Sequence, residues 1–301
     1  MPDKLPSLMP EQTATGHEFL TTREVADLLR IKERKVYDLV AEDAIPCIKA
    51  TGKLLFPRAA LKAWLGQNDA HRPNVVSGSH DPLLDWAIRE SACGLATQLD
   101  GSLSGLDCFE ARNSLATGLH VLDVDAGVES WNTHVVLDRF AQTPVVLIHW
   151  AWRKQGLVLG KNHASINSLI ELKGCRIAIR QAGAGGMILL QHELKTAGLS
   201  LNDFEVVDTC RTESEVIAAV ASGQADCAPG LENLAALYGL DFLPLREERF
   251  DLLVDRYSYF TPAFQTLLEF THSEIFQKKL IHMPGYNTEA LGKVVWLPEA
   301  F

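Results

Sequence analysis

The sequence predicts an α/β protein in which a small module of helices and a β-hairpin precedes a much larger module. Three observations support this prediction. The 301 residues are enough for about two domains, and 47% of them are hydrophobic, which supplies a substantial core. A polar stretch with Gly and Pro at 66–74 separates two regions of different charge. Beyond it, apolar runs alternate with segments of helical period, which favours parallel sheets covered by helices.

The charge changes sign between the two modules. Residues 20–66 hold nine basic and six acidic residues, a net +3, whereas residues 67–301 hold 18 basic and 29 acidic residues, a net −11. A basic module beside an acidic one indicates that the first part binds a polyanion. We therefore expect a DNA-binding domain at 18–66, a linker at 67–74 and a ligand-binding domain at 75–301.

The small module follows the order helix, turn, helix, hairpin, helix. Thr21 and Glu24 form a capping box, and the apolar stripe after them predicts the first helix. A second helix is predicted at 33–42, a hairpin at 45–56, and a third helix after Pro57. Two short helices joined by a tight turn leave the second one exposed, and in DNA-binding proteins this helix enters the major groove.

Candidate DNA contacts lie on the two helices, the hairpin and the start of the third helix. They are Thr22, Arg23, Lys32, Arg34, Lys35, Tyr37, Lys49, Lys53 and Arg58, with Thr51 beside them at the hairpin tip. Lys and Arg at such positions bind phosphate or guanine, so the expected partner is double-stranded DNA. Because one short recognition helix gives limited specificity, we expect a homodimer that reads two half-sites. The alternative is an ordinary solvated basic face.

Five short segments of this module match a known pattern: 20–29, Lys35-Val-Tyr37, Ile45-Pro46, 56–58 and 61–65. On these segments the module resembles the excisionase-type, MerR-like winged helix. The resemblance implies DNA binding through the second helix and the wing. It also leaves open an architectural or recombination role without an effector.

The large module contains alternating strands and helices. Strands are predicted at 74–76, 119–122, 145–150, 175–179 and 204–207, and helices after Pro82 and near 108–116, 130–141, 165–172, 186–197 and 212–222. In sheets of this kind ligands bind at the carboxyl ends of strands, where loops lead into helix N-termini.

Three loops have the composition of a ligand site: 77–81, 100–105 and 181–186. Small residues let backbone amides face a ligand, and a helix N-terminus favours an anion. The candidate ligand contacts are Ser77, Ser79, His80, Asp81, Ser102, Ser104, Gly183, Ala184, Gly185 and Gly186, with Arg153 or Arg180 to compensate the charge. The alternatives are structural turns for the loops and surface ion pairs for the two arginines.

Other kinds of site fail on inspection. The six cysteines form no Cys-x-x-Cys pair, and the histidines form no His-Glu-x-x-His, so we expect no metal and no cofactor. Leu103 occupies the serine position of a nucleophile elbow, so we expect no enzyme. The alternative is an enzyme acting on a small polar metabolite, with His80 or Asp81 as acid or base.

With no apolar run long enough for a membrane and no signal peptide in 1–18, we expect a cytoplasmic protein.

Eight segments of the large module match a second pattern: 77–81, 100–102, 152–156, 180–183, 219–226, 239–245, 264–270 and 283–286. From about residue 76 to 297 the chain resembles the periplasmic-binding-protein-like domains that are fused to helix-turn-helix modules in bacterial regulators. The resemblance implies a two-lobed domain of type 2, with the second lobe at about 154–242 and final helices at 261–280 and 288–294. It also implies a transcription regulator whose effector is a tetrahedral oxyanion such as molybdate or tungstate.

Overall fold

The computed structural model describes residues 18–42, 44–50, 52–64, 72–123, 130–163, 165–210 and 212–298. The chain divides into two compact units, Met1–His71 and Arg72–Phe301. Of the predicted linker, residues 67–71 lie outside the described residues. Arg72, at its other end, is buried, and its Nε lies 3.1 Å from Oδ1 of Asp255. Arg72 therefore belongs to the larger unit.

The smaller unit is a winged helix-turn-helix, as predicted. Its elements are β1 (Phe19–Thr21), α1 (Thr22–Leu29), α2 (Glu33–Ala41), β2 (Ile48–Ala50), β3 (Lys53–Pro57) and α3 (Arg58–Trp64), with the antiparallel strand order β1-β3-β2. The capping box starts α1: the backbone N–H of Thr21 donates to Glu24 at 2.7 Å, and that of Glu24 donates to Thr21 Oγ1 at 3.3 Å. Arg30 ends α1 in the left-handed conformation and turns the chain into α2.

The larger unit contains twelve strands and eight α-helices within its described residues. The strands are β4 (Val75–Gly78), β5 (Ala96–Gln98), β6 (Ala116–Leu119), β7 (Leu122–Asp123), β8 (Ser130–Trp131), β9 (Val145–Leu159), β10 (Arg176–Arg180), β11 (Glu205–Cys210), β12 (Cys227–Leu231), β13 (Asp241–Asp255), β14 (Tyr286–Asn287) and β15 (Val294–Trp296). The helices are α4 (Pro82–Glu90), α5 (Ser102–Glu110), α6 (Thr133–Phe140), α7 (Gly185–Thr196), α8 (Glu213–Ala221), α9 (Glu232–Leu237), α10 (Pro262–Phe270) and α11 (Glu274–Ile281).

Two long antiparallel strands, β9 and β13, run through both lobes of this unit. In lobe 1 (residues 72–152 and 249–298) the sheet order is β5-β4-β6-β13-β9, and in lobe 2 (residues 154–247) it is β11-β10-β12-β9-β13. Because each strand has one half in each lobe, the chain crosses between lobes only through this pair among the described residues. The predicted two-lobed α/β fold is confirmed.

The sequence of β9 explains why it spans both lobes. Nearly all of its fifteen residues are buried, since helices cover both faces of the sheet in each lobe. At the crossing, Gly156 lets the two strands approach closely, because a Cβ there would lie 2.1 Å from the carbonyl oxygen of Leu243.

Four predicted helices are wrong in extent or kind. The helix predicted at 108–116 is α5, which lies earlier, because Arg112 adopts a positive φ of 63° and leads the chain into β6. The segment 165–172 forms only a short 3₁₀ turn (Leu169–Leu172). The helix predicted at 261–280 is two helices, because Ser273 caps a new N-terminus by accepting from the Phe276 amide. Residues 288–294 form no helix but lead into β15, which pairs with β9.

Candidate functional site

Two helix N-termini meet across the cleft between the lobes. Gly101 is the N-cap of α5 in lobe 1, and Ala184 is the N-cap of α7 in lobe 2. A Cβ built on Gly101 would lie 3.8 Å from the Cα of Ala184 and 3.6 Å from the carbonyl oxygen of Gly183, which is ordinary contact. First-turn amides of a helix have no acceptor within the helix, and the helix dipole is positive there. This arrangement therefore favours an anion at the cleft.

Two hydroxyl groups lie at the same place. Ser79, at the end of β4, and Ser102, the first residue of α5, are buried, and their Oγ atoms are 2.8 Å apart. Ser102 Oγ also accepts from the backbone N–H of His120 at 3.2 Å. The cleft thus carries neutral donors from the end of a strand and the start of a helix, beside the loop 181–186.

His120 is the residue of lobe 1 on which the opposite loop packs. A Cβ on Gly185 would lie 2.6 Å from the carbonyl oxygen of His120 and 2.7 Å from its ring. Only glycine at position 185 allows the two lobes to approach this closely. The ring nitrogen Nδ1 of His120 lies 2.8 Å from Glu248 Oε2, so His120 joins the cleft to the strands that cross between the lobes.

A buried group of charged and polar side chains fills the crossing point of β9 and β13. This hinge cluster consists of Asp81, His120, Arg153, Glu248 and Tyr286. Arg153 and Glu248 are direct cross-strand partners, and Arg153 bonds to both Glu248 and Asp81, the latter at 2.9 Å. Tyr286 donates its hydroxyl to Asp81 at 2.6 Å. The guanidinium of Arg153 is therefore already matched by two carboxylates.

Within the hinge cluster, the opposite charges of Arg153 and Glu248 stabilise each other's ionised form. Burial on its own disfavours the Arg153 charge, but Glu248 and Asp81 outweigh it and raise the pKa of the guanidinium above its ordinary value. Burial likewise opposes ionisation of Glu248, yet Arg153 and His120 lower the pKa of its carboxyl. Burial and the neighbouring Asp81 raise the pKa of Tyr286, which stays a neutral donor.

The lowered pKa of Glu248 predicts acid sensitivity of the larger unit. A carboxyl whose folded pKa lies below its unfolded value of 4.5 stabilises the fold above that value, and this contribution is lost as the pH falls through the folded pKa. We expect the free energy of unfolding to decrease below about pH 4.5. Urea unfolding measured from pH 7 to pH 3 should give a shallower decrease for Glu248→Gln than for the wild type. Equal slopes for the two proteins would contradict this prediction.

Lobe 2 contributes three further polar side chains to the cleft. Gln155, on β9, is buried, and its Nε2 would lie 2.7 Å from a Cβ on Gly186. Arg180 and Glu213 are also buried, with Nη1 and Oε1 3.9 Å apart. Oε2 of Glu213 and Oε1 of Gln155 have no hydrogen-bond partner among the described residues. These acceptors belong to lobe 2, whereas Ser79 and Ser102 belong to lobe 1.

The structure places the predicted ligand residues in different surroundings. Ser79, Ser102 and the loop 183–186 lie together at the cleft, and Asp81 and Arg153 belong to the hinge cluster. Ser77 points into lobe 1, where its Oγ bonds to Ser114 Oγ at 2.8 Å and to the Gly105 carbonyl. Ser104 is exposed on α5, and His80 is half-buried, with no partner for its Nδ1 among the described residues. Their roles as ligand contacts stay predictions.

Five residues of the site have no assigned role in the sequence analysis: His120, Gln155, Glu213, Glu248 and Tyr286. Gln155 and Tyr286 fall within segments that carry the resemblance to binding-protein domains, which was an available signal. No sequence signal marks His120 and Glu248, because they lie 128 residues apart and meet only when β13 pairs with β6 and β9.

In the smaller unit, the predicted DNA contacts lie mainly on exposed surface. The exposed ones are Arg23, Lys32, Arg34, Lys35, Tyr37, Lys49 and Lys53, whereas Thr22 and Arg58 are half-buried. Thr51 lies outside the described residues. On α2 the only fully buried side chain is Val36, which packs in the core with Val25 and Phe56, and Leu39 and Val40 pack partly against the same core. The face that carries Arg34, Lys35 and Tyr37 is exposed.

Comparison with known proteins identifies both units. A family model described as a PBP superfamily domain matches residues 86–272, more than half of the chain. The chain belongs to this family. A second family model, described as a helix-turn-helix domain, matches residues 19–69. A helix-turn-helix domain joined to a PBP-superfamily domain is the composition of a DNA-binding regulator that senses a small ligand.

Two individual relatives match this chain over nearly their whole lengths. The chain is 28% identical to the uncharacterized protein YvgK of Bacillus subtilis (strain 168), over 91% of this chain and 97% of that protein. It is 29% identical to an uncharacterized protein in the 5′ region of a ferredoxin 2Fe-2S gene of Clostridium pasteurianum, over 36% of this chain and 97% of that protein.

A solved structure supports the fold of the PBP-superfamily domain. It is described as a phosphate ABC transporter substrate-binding protein with bound phosphate, from Clostridium perfringens. It has a TM-score of 0.50 and 11% identity and covers 71% of this chain and 98% of that protein. Likeness at this identity concerns the fold alone. No helix among the described residues is both long enough and apolar enough to cross a membrane.

Proposed function

We propose that the chain is a one-component transcription regulator that binds operator DNA through α2 and the hairpin, and that binds a small oxyanion, molybdate or tungstate, in the cleft. The observation that supports this proposal most strongly is the meeting of the N-termini of α5 and α7 beside the hydroxyls of Ser79 and Ser102. A chromosomal target would place the regulator in the cytoplasm.

The hinge cluster supports recognition by neutral donors. Since Arg153 is already paired with Asp81 and Glu248, the charge of the ligand is balanced by backbone amides and hydroxyls instead. A tetrahedral oxyanion has four acceptor oxygens and, when fully deprotonated, no hydrogen to donate. It therefore suits the donor-rich side of the cleft.

Binding rather than catalysis fits the surroundings of Asp81. Its two carboxylate oxygens accept from the Leu84 amide, the Trp150 indole, Arg153 and Tyr286. These four internal donors occupy its oxygens and leave them unavailable to a bound metabolite. We therefore favour a binder over an enzyme that uses Asp81 as acid or base.

Ligand in the cleft stabilises the closed arrangement of the two lobes. Only a difference in affinity between open and closed states can change the DNA affinity of the helix-turn-helix domain. We also propose that the regulator acts as a homodimer, whose two α2 helices read half-sites about 34–36 Å apart.

Calorimetry on the full chain tests the ligand. Molybdate, tungstate, sulfate and phosphate are titrated separately, and operator affinity is then measured with and without the anion that binds. We expect saturable binding of molybdate or tungstate, together with a change in DNA affinity. Absence of binding by all four anions would reject the oxyanion. Binding without a change in DNA affinity would reject the regulatory link. Turnover of a bound metabolite would support the enzyme instead.

Substitution of Lys35 tests the DNA interface. Lys35→Ala removes an exposed cation from α2, so we expect weaker binding to specific and random duplexes alike. The slope of log affinity against log salt should fall by about 1, as expected for one lost phosphate contact. Fluorescence anisotropy at several salt concentrations measures both quantities.

Arg89→Ala is the control for this experiment, because Arg89 is exposed on α4 of the PBP-superfamily domain. It should retain the wild-type affinity and salt slope. An unchanged slope in Lys35→Ala would exclude Lys35 from the interface.

A further inference from the structure

Three metal-binding side chains meet at the end of lobe 2 where β9 ends and β10 and β12 begin. They are His163, Cys175 and Asp226, and one ligand atom of each lies within 4.8 Å of the other two. His163 follows the end of β9, Cys175 immediately precedes β10, and Asp226 immediately precedes β12. The three residues are half-buried, so an ion from solvent can reach them.

The three ligand atoms lie near enough to one another for a single zinc ion to reach all of them. Zinc bonds of 2.0–2.3 Å to nitrogen, sulfur and oxygen place neighbouring ligand atoms about 3.3–3.7 Å apart. Small side-chain rotations of His163 and Cys175 would close the remaining gap. Imidazole and thiolate together favour zinc over magnesium or calcium, which prefer oxygen ligands.

The surroundings leave the nitrogen and sulfur donors available. Neither the ring of His163 nor the Sγ of Cys175 makes a hydrogen bond to any described residue. Asp226 is oriented by Arg176, whose Nη2 donates to Oδ1 at 2.7 Å and whose backbone N–H donates to Oδ2 at 2.9 Å. Ligating carboxylates are commonly fixed by such outer hydrogen bonds, so Arg176 holds Asp226 in one orientation.

A cavity of about 360 Å³ adjoins the cluster. His163, Arg176 and Asp226 line it, together with Lys161 and Asn162. Three protein ligands and an adjoining cavity leave room for a water molecule as the fourth ligand.

We propose that His163, Cys175 and Asp226 bind one Zn²⁺ ion per chain. The ion would connect the end of β9 to the starts of β10 and β12. The backbone already links these three segments, because the Gly160 amide donates to the Asp226 carbonyl at 2.8 Å and the Asp226 amide donates to the Arg176 carbonyl at 2.8 Å. Because it binds the folded state, Zn²⁺ would raise the apparent melting temperature. This site is separate from the cleft and does not depend on the identity of the anion.

Zinc titration of the full chain in a thiol-free reductant tests the site. We expect one Zn²⁺ per chain by calorimetry in the wild type and loss of this binding in both His163→Gln and Cys175→Ser. The control is Cys108→Ser, which changes a half-buried thiol in lobe 1 and should bind as the wild type does. Binding of Co²⁺ should give a thiolate-to-cobalt charge-transfer band that only Cys175→Ser and His163→Gln lose.

Two results would overturn the proposal. One is the absence of zinc binding by the wild type. The other is equal binding by the wild type and both variants, which would mean that the ion binds elsewhere. The cobalt spectrum of the wild type is independent of the variants, and absence of the charge-transfer band would exclude Cys175 as a ligand even if a variant failed to fold.

Discussion

Gly185→Ala is expected to weaken anion binding by about 5- to 150-fold while leaving the protein folded. The added methyl group would lie 2.6 Å from the carbonyl oxygen of His120, so the lobes could not close as the wild type does. A misfit of this kind costs about 1–3 kcal/mol, which corresponds to that loss of affinity. The open form tolerates the change, because alanine is favourable in the first turn of α7. Calorimetry with the anion that binds measures the affinity.

Gly183→Ala is the matched control, because a Cβ at 183 would meet no atom within 4 Å and the substitution keeps the backbone amide that the anion site uses. It should permit the same closure as the wild type. Small-angle scattering provides a second measurement: with anion present, the wild type and Gly183→Ala should become more compact, and Gly185→Ala should not. Wild-type affinity in Gly185→Ala would show that the lobes do not need to approach this closely.

Arg153→Leu is expected to destabilise the PBP-superfamily domain by about 3–5 kcal/mol, because it leaves Asp81 buried without a positive partner and Glu248 with His120 alone. The loss of the stacking contact with the Phe250 ring, 4.3 Å from the guanidinium carbon, adds to the effect. Urea unfolding at pH 7 measures the free energy. The loss should become smaller as the pH falls, because protonation removes the buried charge of Glu248 that the variant deprives of Arg153.

Arg139→Leu is the control for the buried pair. Arg139 also binds two carboxylates, Asp107 and Glu110, but both of these are exposed. Exposed pairs contribute at most about 1 kcal/mol, so this variant should stay within that range of the wild type. Equal losses for the two variants would mean that the hinge cluster contributes no more than a surface pair.

Local sequence signals predicted the smaller unit well. The capping box at Thr21, the two helices and the hairpin each depend on residues within a few positions of one another. The same holds for the start of α4, where Pro82 follows the capping Asp81. Helix ends were less predictable: α10 and α11 share one apolar pattern, and only the Ser273 cap separates them.

The cleft was predictable in part. Loops rich in small and hydroxyl residues indicated the places where α5 and α7 begin, because the composition of a short loop can be seen from neighbouring residues of the sequence. No local pattern indicates that Arg153 pairs with carboxylates inside the protein, since its partners Asp81 and Glu248 lie 72 and 95 residues away. For the same reason, His163, Cys175 and Asp226 show no metal-ligand spacing in the sequence, since they are 12 and 51 residues apart.

The continuity of β9 and β13 has a consequence for dissecting the molecule. Each of these fifteen-residue strands supplies the middle of one sheet and then the middle of the other. A fragment that contains only one lobe would keep only part of β9 and of β13. Its sheet would then have an unpaired strand edge at its centre. The two halves should therefore melt in a single transition, and gene truncations within 145–255 should yield insoluble products.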